Sequence, residues 1–93
     1  MNKYRRKEID MLNNELQDII DKIKAAQSTA SDIQSDEQDY MDNIPENLQS
    51  SERYEAADAA ISELDDVDSA LDEAVDSIQS AIDALESAKW GGM

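Results

Sequence analysis

The chain is predicted to be all-α: a long antiparallel helical hairpin, coiled-coil-like, paired into a four-helix bundle. Three observations predict it. Apolar residues fall on a seven-residue repeat through both halves, the single Pro stands at position 45, and no Gly occurs before position 91. A heptad of this kind is what a helix with one buried seam requires, and Pro45 marks the only break in it.

The first helix is placed at residues 3–42. Its seam reads Ile9, Leu12, Leu16, Ile19, Ile23, Ala26, Ala30 and Ile33 and extends through Glu37 to Tyr40 and Ile44. The turn follows over residues 43–51, because Pro45 disfavours helical backbone at Ile44. Asn43 with Glu46 three residues on has the spacing of a capping box. Ser50 or Ser51 then caps the second helix, with Glu52 and Glu55 at its positive end.

The second helix, residues 52–90, is the more regular. Its seam is Ile61, Leu64, Leu71, Val75, Ile78, Ile82 and Leu85, which is also the expected oligomer seam. Ala60, Val67, Ala74, Ala81 and Ala88 widen the apolar stripe beyond what one partner helix covers, so hairpins are expected to pair. A monomeric hairpin is the alternative. Asp68 falls on the seam, and the preferred account is a drift that turns Val67 inward and brings Asp68 to the edge. Its other reading is a polar core residue that sets register.

Residues 1–93 are read as one small domain, whose core is marginal without association. The charge is extreme: 8 Lys and Arg against 23 Asp and Glu, a formal net charge of −15. Between Ala25 and Ala88 the only basic residue is Arg53. Such a surface repels nucleic acid and anionic lipid and attracts basic protein. With no Cys and no His, disulfides, thiol chemistry and Glu-x-x-His metal sites are closed. Asp65, Asp66 and Asp68 only superficially resemble a calcium loop, which needs a Gly for its sharp turn and a Glu at the twelfth position. No nucleophile or pocket accompanies the carboxylates, so no enzyme, cofactor or metal is expected. Lys3, Arg5, Arg6 and Lys7 are too few for a nucleic-acid footprint and are expected to pair locally with Asp83 and Glu86. Tyr40 and Tyr54 are read as packing residues at the hairpin tip, and Trp90 as standing at a fraying end. No apolar run suggests a signal peptide or membrane span, and the expected location is the cytoplasm of a bacterial host.

The stretch Asn43-Ile44-Pro45-Glu46-Asn47-Leu48-Gln49, followed by Ser51-Glu52-Arg53-Tyr54-Glu55 and the Asp-rich heptads, resembles small acidic helical proteins encoded by phages and prophages of gut bacteria. The resemblance covers about half of the chain and implies a mobile-element origin; it brings no catalytic residues with it. Two functions are expected from the charge and the repeat. In one, the chain imitates nucleic acid and blocks a host nuclease or other DNA-binding defence protein, in the manner of anti-CRISPR inhibitors. Its partner-binding face is then Asp58, Asp65, Asp66, Asp72, Glu73 and Asp76, and its partner a basic protein surface. In the other, a helical assembly or scaffold protein binds partner helices through its apolar stripe.

Overall fold

The structure, a computed structural model, describes residues 2–49 and 51–91. Helix α1 runs Lys3–Asp42 and helix α2 runs Glu52–Gly91, with a single 3-10 turn at Glu46–Leu48 between them. The two helices pack side by side in opposite directions, making a rod of 70 × 15 × 12 Å. The architecture is therefore an extended all-helical hairpin.

Local chemistry explains each helix end. Asn2 caps α1, its side-chain oxygen accepting from the Arg5 backbone N–H at 2.8 Å, which satisfies one of the donors a helix start leaves open. At the other end Asn43 does not begin a capping box. Its side-chain amide instead donates back to the Asp39 carbonyl at 2.8 Å, closing α1, and the following 3-10 turn has no side-chain cap. Ser51 Oγ accepts from the Tyr54 N–H at 3.4 Å, at the start of α2. Ser50, Gly92 and Met93 lie outside the described residues.

The register of α2 follows its heptad. Ile61, Leu64, Leu71, Val75, Ile78, Ile82 and Leu85 are all half-buried on one face, and Ala57 is fully buried. Helix α1 departs from expectation. Ile9, Leu16, Ile23 and Ala30 face inward, but the column beside them is Asn13, Ile20, Gln27, Gln34 and Met41. Leu12, Ile19, Ile33 and Tyr40 are instead 41–52% exposed. The reason is geometric: at 3.6 residues per turn, positions one residue apart point about 100° apart, so these columns flank the Ile9 column on opposite sides. One partner helix covers a seam of two columns, not three. Helix α2 takes the side on which Gln27 and Gln34 reach its polar groups.

The preferred account of Asp68 holds in one of its two parts. Val67 does not turn inward and stays 43% exposed, while Asp68 does lie at the exposed edge, where it accepts from Gln27 Nε2 at 3.2 Å.

Candidate interaction surfaces

Two amides of α1 organise the acidic side of the rod. Gln34 Nε2 donates to Asp65 Oδ1 at 2.6 Å and to the Ile61 carbonyl at 3.0 Å. One heptad earlier, Gln27 Nε2 donates to Asp72 Oδ1 at 2.6 Å and to Asp68. A seven-residue step forward on one helix thus meets a seven-residue step back on the other, as antiparallel pairing demands. Hydrogen bonds to carboxylates are among the stronger ones, and these hold Asp65 and Asp72 in place along one flank. Their importance was not apparent from an apolar pattern; the signal available was two Gln residues seven apart beside the seam.

Asp58, Asp65 and Asp72 follow one another at heptad spacing along that flank, with Asp66 and Glu73 turned further outward and Asp76 between the two columns. All six are exposed. A shallow cleft of about 100 Å³ opens between the helices here, lined by Ala30, Ser31, Gln34, Leu64, Asp65 and Asp68. Among the described residues, no cluster of three or more carboxylates is disposed to hold a metal ion, and no helix is long and apolar enough to cross a membrane.

Charge is unevenly shared along the rod. Residues 25–75, which make up the half nearest the turn, hold fifteen carboxylates against Arg53 and so carry −14; the half holding the termini carries −1. In that second half, Lys89 Nζ bridges to Asp10 Oδ1 at 2.7 Å and lies 5.1 Å from the centroid of the Trp90 ring. Its hydrogen bond to Asp10 raises the lysine above its ordinary 10.5. The expected pairing of the basic end with Asp83 and Glu86 is not formed. Asp83 accepts from Gln79 at 3.3 Å and Glu86 from Trp90 Nε1 at 3.1 Å.

The opposite flank is apolar. The exposed Leu12, Ile19, Ala26, Ile33 and Tyr40 of α1 share it with Ala60, Val67, Ala74, Ala81 and Ala88 of α2. Two observations place them together. Ser31 and Asp65 line the cleft on the acidic flank, whereas Tyr40 and Arg53, from the other edge of each seam, line a second hollow of about 250 Å³ beside Ile44, Pro45 and Leu48 near the turn. Tyr54 is half-buried at the tip, whereas Tyr40 lines the hollow beside it and keeps nearly half its surface exposed.

A scan against protein-family models matches none, and neither the curated proteins nor the solved structures searched give a match.

Proposed function

We propose that this chain is a non-catalytic acidic binding protein, a phage-type inhibitor that imitates nucleic acid and occupies the basic groove of a host nuclease or other DNA-binding defence protein. The observation that carries the reading is charge density. Fourteen net negative charges over about half of the 70 Å rod amount to one per about 2.5 Å. Duplex DNA carries one per about 1.7 Å of axis and a single strand one per about 3.4 Å, so the turn half lies in the range a nucleic-acid groove accepts. The anchoring of Asp65 and Asp72 by Gln34 and Gln27 supports it further, because fixed carboxylates lose less side-chain entropy on binding.

Affinity capture from bacterial lysate at low salt tests this, with wild type beside a variant carrying Asp65→Asn, Asp66→Asn, Asp72→Asn and Asp76→Asn. Recovery of a nucleic-acid enzyme by wild type alone, with release by duplex DNA, is the expected outcome. Equal recovery by both proteins would refute the mimicry. A second reading, a helical scaffold, is favoured by the exposed apolar flank. It requires an interaction that survives neutralisation of the acidic residues and high salt but is lost when Ile19 or Ile33 becomes charged.

A further inference from the structure

The apolar flank has the symmetry of a surface built to meet itself. Contacts between the helices set its levels: Gln34 meets Asp65 and Gln27 meets Asp72, and the same register carries through to Asp10 with Lys89. Leu12 therefore stands level with Ala88, Ile19 with Ala81, Ala26 with Ala74, Ile33 with Val67 and Tyr40 with Ala60. The midpoint of the α1 row is Ala26, the midpoint of the α2 row is Ala74, and the two midpoints share one level of the rod. Small side chains at that level leave room for close approach, with the bulky residues of α1 set symmetrically on either side.

We propose that two copies of this hairpin pair through this flank in opposite directions, the turn of one beside the termini of the other, about a two-fold axis crossing the rod at Ala26 and Ala74. Such an axis lies in the interface and runs across the rods, so each helix faces its own counterpart. Ile19 of one copy meets Ile33 of the second, Leu12 meets Tyr40, and Ala26 meets Ala26.

Two further observations select a second copy as the occupant and fix its direction. The chain exposes 6738 Å², whereas a compact monomer of 10.4 kDa exposes about 5400 Å². The excess of about 1300 Å² exceeds the roughly 800 Å² per partner of a standard interface, and among the described residues only Ile20 and Ala57 are fully buried. Direction follows from charge. Copies aligned the same way place the −14 half against its like, while opposed copies place it against the −1 half, which carries Lys3, Arg5, Arg6, Lys7, Lys22 and Lys24. Like charge so placed disfavours the aligned arrangement and leaves the opposed one. The two copies still repel overall, so screening by salt strengthens the pairing, whereas it weakens binding to a basic groove.

Sedimentation equilibrium in low and high salt, combined with distances between spin labels, tests the proposal. Wild type is expected at twice 10.4 kDa, with the dimer more populated in high salt. Ile19→Glu and Ile33→Glu, both at exposed positions, are each expected to give a monomer with unchanged helical circular dichroism. A label at Asn47→Cys, near the turn, is expected to lie from its copy at a distance approaching the 70 Å length of the rod, and one at Ser28→Cys, near the axis, at less than half that length. A monomer at every concentration and salt would overturn the proposal, as would a dimer indifferent to both Glu variants. A short distance between the Asn47 labels would overturn the opposed direction.

Discussion

Asn13 is the residue whose chemistry fits its surroundings least. It occupies the inward column of α1, and its side-chain oxygen is buried without a hydrogen-bond partner. A buried acceptor left unpaired costs about 1–3 kcal/mol, so Asn13→Leu is expected to stabilise the hairpin by about 1 kcal/mol or more, raising its Tm by roughly 4–8 °C. Thermal melts followed by circular dichroism read this directly; a lower Tm would assign Asn13 to setting the register, as polar seam residues do elsewhere. Ile20, two positions along the same row of inward residues, is 2% exposed. Ile20→Ala is expected to cost about 2–4 kcal/mol, a large share of the stability available to so small a core. Lys89 makes a contribution that depends on pH at the alkaline end. Because Asp10 raises it, its stabilisation is complete below 10.5 and fades as pH climbs through the raised value. Asp10→Asn is expected to abolish that alkaline step.

At the scale of the helices, α1 and α2 are held by different means. Helix α2 presents a nearly continuous aliphatic seam, while α1 answers with Ile9, Leu16, Ile20 and Ile23 near the termini and with Gln27 and Gln34 nearer the turn. Both halves are joined by apolar contact, to which the turn half adds amide-to-carboxylate bonds at its edge. Gln34→Ala removes both of the bonds that Gln34 makes and is expected to cost about 0.5–1.5 kcal/mol. Amide hydrogen exchange should then rise selectively in residues near the turn. Uniform acceleration along both helices would mean that the hairpin opens as one unit. This arrangement also explains why apolar spacing alone does not fix the α1 register. Leu12, Ile19 and Ile33 form as good an aliphatic row as the inward one, and only the contacts with α2 distinguish them.

For the whole molecule, the dominant property is unpaired charge. Among the described residues Asp10 is the only carboxylate in an ion pair, so acidification removes little specific attraction while relieving repulsion along the turn half. The hairpin is therefore expected to melt at a higher temperature at pH 4.5 than at pH 7. A lower melting temperature at pH 4.5 would show that carboxylate contacts such as Gln27 with Asp72 outweigh the repulsion. Exposed charge is screened beyond about 8 Å at physiological ionic strength, so binding through the acidic face is expected to weaken steeply as salt is raised.

Helicity, the position of the turn and the seam of α2 were all legible in the amino-acid order, since they follow from local rules: heptad spacing, one Pro, and a run free of Gly. The concentration of charge toward the turn was legible too, because folding a chain back on itself at residues 43–51 brings residues 25 and 75 to about the same level. Tertiary structure alone decided which of two apolar columns α1 buries. Both columns satisfy the same periodicity, and the one chosen buries Ile20 and sets Gln27 and Gln34 against Asp72, Asp68 and Asp65 across the seam, contacts between residues 31 to 45 positions apart. The same choice left Leu12, Ile19, Ile33 and Val67 facing outward on one flank, and it is the reason the rod has an acidic side and an apolar one.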